Sequence, residues 1–393
     1  MKKTLAAVAV LGAFAGSALA ADVQLYGIVD TGLRYTHFDA DSAAAGYDAT
    51  DSFGMQSGNQ SGSRFGFKGT EDLGNGLTVG FILENQFNSD DGSLADEDHF
   101  FRRESSLFLQ GGFGKVAMGR MGSINGGTSS WAKYGVLSAF GTSWDYSAQA
   151  GSWAIGGGKW DNMIAYQTPD FAGFKVYAQY SMGNQVDGTD KDGKAGKYGA
   201  ENESSSDRYY AIGATYNNGP FAAYLAVDSM NYASVTTKDG KQVFDDMDDS
   251  LTVTLGGSYD FEVVKVYLGA QYFDEVKLSG FSGPIKDAGV GQSSKVKGYG
   301  LSLTGDAPLL GGKAMFGIGY TDAETADSQD KAQDVDFQRY VISVGYDYPF
   351  SKRTDVYAVA SYMQDNWEDK STANKVEGDP SAYTFYVGLR HRF

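Results

Sequence analysis

Residues 383–393 read YTFYVGLRHRF, and the chain stops at Phe393. Taken alternately, Tyr383, Phe385, Val387, Leu389, His391 and Phe393 share one side, and Thr384, Tyr386, Gly388, Arg390 and Arg392 share the other. This is the period of a strand with one apolar and one polar face. Chain ends are ordinarily frayed and polar, so a terminal strand that stays aromatic to its last residue needs a partner along its edge.

The same alternation runs backwards through the chain. In VQLYGIVDTGLRY (23–35), Val23, Leu25, Val29, Leu33 and Tyr35 face one way and Gln24, Tyr26, Asp30 and Arg34 the other. FKVYAQYS (174–181), LTVTLGGSYD (251–260), VKVYLGAQY (264–272) and RYVISVGYD (339–347) divide likewise. About sixteen such segments are expected, near residues 22–36, 61–72, 76–88, 99–111, 113–122, 159–168, 173–183, 207–217, 219–230, 250–260, 263–275, 296–305, 312–321, 337–347, 355–365 and 382–393.

The connections alternate in length. Short ones, DLGNG (72–76), GGFG (111–114), PDFAG (169–173), NNGP (217–220) and YPFSKRT (348–354), are rich in turn formers. Long acidic ones fall around 37–60, 88–98, 184–206, 231–249, 276–294, 322–336 and 365–380. A soluble sandwich has no reason for such asymmetry, whereas a barrel crossing an outer membrane has short turns at one end and long loops at the other. The fold class expected is therefore all-β, a transmembrane antiparallel β-barrel of about 16 strands. An even number of strands returns both ends to the short-turn side, so the last strand lies against the first and no edge is left open.

Composition agrees. The chain has 53 Gly, 26 Tyr and 24 Phe but no Cys and only 6 Pro in 393 residues. Its net charge of −17 argues against binding nucleic acid through phosphate attraction. The leading MKKTLAAVAVLGAFAGSALA, with two lysines, an apolar run and small residues at Ala18 and Ala20, reads as a signal peptide over residues 1–20, followed by one domain over 21–393. After it, no stretch reaches the length of apolar sequence that a membrane helix requires.

Several stretches in this order resemble the trimeric general-diffusion porins of Gram-negative outer membranes: LYGIVDTGL (25–33), SGSRFGFKGTEDLGNGL (61–77), FFRRESSLFLQGGFGKVAMGR (100–120), NMIAYQTPDFAGFKVYAQY (162–180), SKRTDVYAVASY (351–362) and VGLRHRF (387–393). The resemblance implies a homotrimer in the cell outer membrane passing ions and small hydrophilic solutes passively, with no cofactor. It also implies contact with lipid and lipopolysaccharide, and assembly by the outer-membrane barrel machinery through the C-terminal strand, with Leu389, His391 and Phe393 as its signal. The third loop is expected to fold into the barrel. The corresponding residues, 123–158, are rich in Gly, Ser, Ala and Trp and carry one carboxylate, Asp145, and one amine, Lys133. Charge depletion suits a buried loop.

On the facing wall, the resemblance points to Arg64 and Lys68, with Phe65 and Phe67 turned to lipid. Lys159 stands where relatives carry arginine, and Arg103 matches a fourth-strand arginine, although alternation sets it with Leu107 and Leu109 and leaves Arg102 as competitor. Arg34 and Arg120 are further candidates, and Ile28 stands where some relatives place lysine. Fixed charges across a narrow aqueous passage screen permeants by sign and size. One loop carboxylate against several wall cations suggests a weak anion preference.

Other functions fit less well. The three histidines, His37, His99 and His391, lie beside loops or on the terminal strand, so no serine triad forms, and no metal spacing is present. A sugar-specific channel would need a file of aromatics, which Trp131, Trp144, Tyr146 and Trp153 in the third loop could supply, although packing the loop to the wall is their simpler role. A surface-binding barrel or adhesin would use the long loops instead. Apolar surface for a trimer contact is available on Phe65, Phe67, Leu77, Val79, Phe81 and Leu83.

Overall fold

A computed structural model describes residues 23–40, 49–141, 158–185, 206–232, 235–238, 241–244, 248–277, 284, 295–326, 334–370 and 376–393. The strands, in order, are β1 (Gln24–Asp39), β2 (Ala49–Ser57), β3 (Arg64–Gly74), β4 (Leu77–Gln86), β5 (Glu104–Gly111), β6 (Gly114–Gly122), β7 (Lys159–Gln167), β8 (Phe174–Gln185), β9 (Ser206–Asn218) and β10 (Phe221–Asn231). They continue as β11 (Val235–Lys238), β12 (Lys241–Phe244), β13 (Ser250–Asp260), β14 (Lys265–Lys277), β15 (Lys295–Leu309), β16 (Gly312–Thr325), β17 (Val335–Pro349), β18 (Thr354–Asp369), β19 (Val376–Gly378) and β20 (Ser381–Arg392). Sixteen of these form a closed antiparallel barrel. Strands β2, β11, β12 and β19 are additions on the long-loop side.

Closure is made by β1 and β20, in register from Ile28 opposite Arg392 to Asp39 opposite Ser381. The last residue is held as well: Gly27 N–H donates to the Phe393 carbonyl and Phe393 N–H to the Gly27 carbonyl, both at 3.0 Å. The terminal strand is thus paired on both edges, with β18 on the other side.

The faces divide as alternation requires. Leu25, Leu107, Leu268, Ile318, Phe385 and Leu389 are exposed on the outside, while Thr252, Thr254, Thr304, Arg339, Ser343 and Asp365 are buried inside. A polar interior under an apolar exterior is the inverse of a soluble sandwich, and it is what a lipid solvent selects.

The barrel is uneven in height. Strands β4 to β7 have 8 to 10 residues, whereas β15 to β18 have 14 to 16. At about 3.4 Å per residue the wall is roughly three fifths as tall on the first side. Beside that low side β1 changes partner, with Gln24 to Ile28 pairing with β3 and Thr31 to Asp39 pairing with β2. The bend between them, residues 58–63, begins with Gly58 at φ 72° and its N–H bonded to the Asp30 carbonyl at 2.8 Å.

Candidate functional site: a narrowed channel

The loop after β6 turns into the barrel at once. Ile124 N–H donates to Gln179 Oε1 at 2.6 Å, and Gln179 Nε2 donates back to the Gly122 carbonyl at 3.1 Å. Asn125 is held next, its Nδ2 donating to Asp228 Oδ2 at 2.9 Å and its Oδ1 accepting from Tyr224 OH at 2.6 Å. Asp228, buried on β10, also accepts from Tyr209 OH at 2.9 Å and from Thr252 Oγ1. Trp131 and Leu137 pack in a buried cluster with Trp160, Met163, Tyr177, Tyr209 and Tyr224. After a 3-10 turn over Tyr134–Leu137, Ala139 N–H donates to Thr304 Oγ1 at 3.0 Å, and Phe140 joins Met315, Tyr357, Val359 and Tyr386. The segment 123–141 therefore lies along the inner wall from β8 to β20.

The remaining wall, β20 with β1, β3 and the start of β5, carries guanidinium groups. Arg64 opens β3, on the face it shares with Gly66 and Lys68 and opposite Phe65 and Phe67. Arg103 precedes β5, whose first residue is Glu104, so strand alternation does not direct it. Its Nε meets Glu84 Oε1 at 2.6 Å and its Nη1 donates to Gln86 Oε1 at 3.0 Å. Arg390 on β20 meets Asp355 at 2.9 Å and Asp347 at 3.3 Å, and donates to Ser61 Oγ at 3.0 Å. Arg64 lies within electrostatic reach of both Arg103 and Arg390. Among the described residues no carboxylate is paired with Arg64. Of the three it is the one without a direct ion pair, although Glu84 lies within its electrostatic reach.

Asp30 organises this wall. Fully buried on β1, it accepts from Ser61 N–H at 2.7 Å, Gln60 N–H at 3.2 Å and the Tyr357 hydroxyl. Tyr357 comes from β18 and crosses β20 over Gly388, where an added Cβ would stand 2.3 Å from its hydroxyl oxygen. The bend that leads into Arg64 is thereby tied to two neighbouring strands.

The other sequence candidates distribute as follows. Lys68 Nζ lies 5.1 Å from the centre of the Tyr26 ring on the inner face, toward the short turns. Arg34 stacks at 5.2 Å on Tyr386, which also touches the inward loop's cluster, and donates to Gln56 Oε1 at 3.3 Å. Arg120 sits beside a bulge and turns to the side opposite Met121, toward Asp161 at 2.5 Å and the Arg102 carbonyl at 3.0 Å. Arg102 is tied to loop residues, its Nη1 donating to the Ala95 carbonyl and its Nε 3.9 Å from Asp96. Lys159 opens β7 within reach of the Arg102, Arg103 and Arg120 charges. Lys133, on the inward loop, lies 5.3 Å from the Tyr177 ring. Burial, followed by the Lys115 and Lys175 charges, pushes its pKa down to about 8. Asp145, Trp144 and Tyr146, like Trp153, lie outside the described residues. At the C-terminus, Leu389 and Phe393 are exposed outward and His391 shares a 2.8 Å hydrogen bond with Thr354. Sequence reading passed over Asp30, Glu84, Asp228, Tyr357 and Arg390. Asp30 and Arg390 were visible on polar faces of alternating segments, but nothing local marked them as partners of a distant bend.

Among the described residues no group of His, Asp and Glu is arranged to hold a metal. The geometry is a passage bounded by a pinned, charge-poor loop and an arginine-bearing wall. The family model for Gram-negative porins matches residues 6–368. The chain belongs to the Gram-negative porin family. Porins are channels rather than enzymes, and this porin is a protein of the outer membrane. It is 34% identical to an outer membrane porin protein of Bordetella pertussis and 31% identical to outer membrane porin protein 32 of Delftia acidovorans, in each case over the whole of both chains. Among solved structures, the anion-selective porin from Comamonas acidovorans shares 26% identity at a TM-score of 0.64, covering 95% of this chain and 100% of that one. A trimer form of Vibrio cholerae OmpT, 15% identical, matches in fold at a TM-score of 0.60, covering 95% of this chain and 100% of that one.

Proposed function

We propose that this porin is a homotrimeric diffusion channel for ions and small hydrophilic solutes with a weak preference for anions. The observation that carries the preference is Arg64, a guanidinium at the narrowed level with no paired carboxylate, beside Arg103 and Arg390, whose charges are offset by Glu84, Asp355 and Asp347. An unpaired cation on one side of a narrow aqueous passage lowers the free energy of anions there. The anion-selective relative from Comamonas acidovorans supports the same reading. Lys68, Arg34 and Lys133 extend the positive lining to either side, and Lys159 and Arg103 add to it near Arg64.

Residues 1–20 act as the export signal, and Leu389, His391 and Phe393 as the end recognised during barrel assembly. The low wall is the trimer contact, where Phe65 meets Phe87 and Phe100 with ring centres 6.3 Å apart. The tall wall faces lipid and lipopolysaccharide. The buried position of Trp131 favours packing of the inward loop over an aromatic file for sugars.

The test is the reversal potential of the refolded trimer in a planar bilayer under a potassium chloride gradient. The parent should show conductance in steps of three and a potential on the anion side, and Arg64→Gln should move it toward cations. An unchanged potential in Arg64→Gln would remove Arg64 from the selectivity of the channel.

A further inference from the structure

A second basic group stands inside the barrel, away from the arginine wall and close to the short turns. Lys115 is the first inward residue of β6 after the turn at Gly114, and Lys175 the first inward residue of β8. In register, Lys115 lies beside Gln167 of β7, which lies beside Tyr177 of β8, two residues along from Lys175. With strands about 4.8 Å apart and alternate residues about 7 Å apart, Tyr177 is the centre of this arrangement. Lys133 of the inward loop completes it, its Nζ over the Tyr177 ring at 5.3 Å.

Aromatic faces hold the amines in place. Lys115 Nζ is 4.0 Å from the centre of the Phe108 ring and 5.2 Å from that of Trp131, while Lys133 donates to the Ser130 carbonyl at 3.1 Å. Carboxylates are few. Asp170 is 3.5 Å from Lys175, and the nearby Glu104 already accepts from Ser106 Oγ and from the N–H and Oγ of Ser130 at 2.8 to 2.9 Å. Among the described residues no carboxylate is paired with Lys115 or Lys133. Lys133 lies within electrostatic reach of both Lys115 and Lys175, and the single charges of Glu104 and Asp170 leave the three ammonium groups with a net positive charge that an anion accepting hydrogen bonds in several directions would offset.

We propose that Lys115, Lys133 and Lys175 form a binding station for a small oxyanion of the inorganic phosphate class, inside the channel at its short-turn, periplasmic mouth. A tetrahedral dianion accepts from two or three amines at once, whereas chloride offers one charge to share among them. The station rests on the reading of the protein as an open channel, but it is separate from the Arg64 level that sets preference among simple ions.

The probe is inorganic phosphate added to one side of a bilayer holding the trimer in potassium chloride. Phosphate should reduce the current of the parent more strongly from one side than from the other, and K115Q/K175Q should raise the half-blocking concentration about tenfold. K133Q, which leaves both strands untouched, should weaken the block in the same direction, and a heat-modifiable trimer on a gel shows that each variant is folded. Equal block of parent and K115Q/K175Q trimers, or equal block from both sides, would overturn the station while leaving the diffusion channel standing. Absence of channels in the parent would instead overturn the channel reading.

Discussion

The two sides of the narrowed passage are built on opposite principles. On one side, residues 123–141 give up charge and gain fixed position, with Asn125 locked to Asp228 and Tyr224, and Trp131, Leu137 and Phe140 buried in apolar clusters. On the other, the wall keeps three arginines and compensates two of them with strand carboxylates. A loop has no sheet to satisfy its backbone, so it must find partners on the wall, and within 123–141 it carries a single charged side chain, Lys133. The wall has its backbone satisfied by the barrel, which frees its side chains for the pore. On the proposed function, the first side would set the width and the second the sign.

Removing Asp228 tests this division most severely. Asp228→Ala takes the acceptor away from Asn125, Tyr209 and Thr252 at once, and a loss of about 3 kcal/mol in urea unfolding of the reconstituted barrel is expected, with larger and noisier single-channel steps. Unaltered steps would mean that the clusters around Trp131 and Phe140 hold the loop without it.

Two arginines then separate charge from support. Arg103→Gln leaves Glu84 with the Tyr26 hydroxyl, OH to Oε2 at 3.0 Å, and the more distant Arg64 charge, and should cost about 2 kcal/mol as well as shift selectivity toward cations. Arg64→Gln removes a charge that no carboxylate pairs directly, so it should shift the reversal potential with a stability change below about 0.5 kcal/mol. Equal stability losses would show that Arg64 is as structural as Arg103.

The inward loop's own charge gives the smallest effect. Lys133, with a pKa pushed down to about 8 by burial and by Lys115 and Lys175, is protonated at pH 7 and mostly neutral at pH 9. Raising pH across that interval removes a cation, so anion preference should decline slightly, and K133Q should lack this component. The reversal potential measured at both pH values in parent and variant checks it.

How much of this was legible beforehand depended on the distance between cause and effect. The inner and outer faces of the terminal strand follow from alternation within it, and Phe65 and Phe67 were assigned outward from three neighbouring residues. The expected segment 99–111 begins later, at Glu104, because residues 99–103 belong to the preceding loop. That shift is why Arg103 is inside despite its parity with Leu107. The added strands β2, β11, β12 and β19 were read as loop, since their pairing is set by partners outside them: β2 lies on β1, β19 on β18, and β11 and β12 on each other.

The segment that enters the lumen was implied by the resemblance to porins, whereas the order of residues alone determined the barrel, its closure of last strand on first and the alternation of turns with loops. These are consequences of period and spacing, which are local. Only the tertiary structure decided which partners hold the buried charged groups: Asp30 meets the Tyr357 hydroxyl, and Arg390 meets the Ser61 hydroxyl, across more than three hundred residues of sequence. Strand register and the bend after β2 bring these groups together, and electrostatic pairing depends on distance in space rather than along the chain.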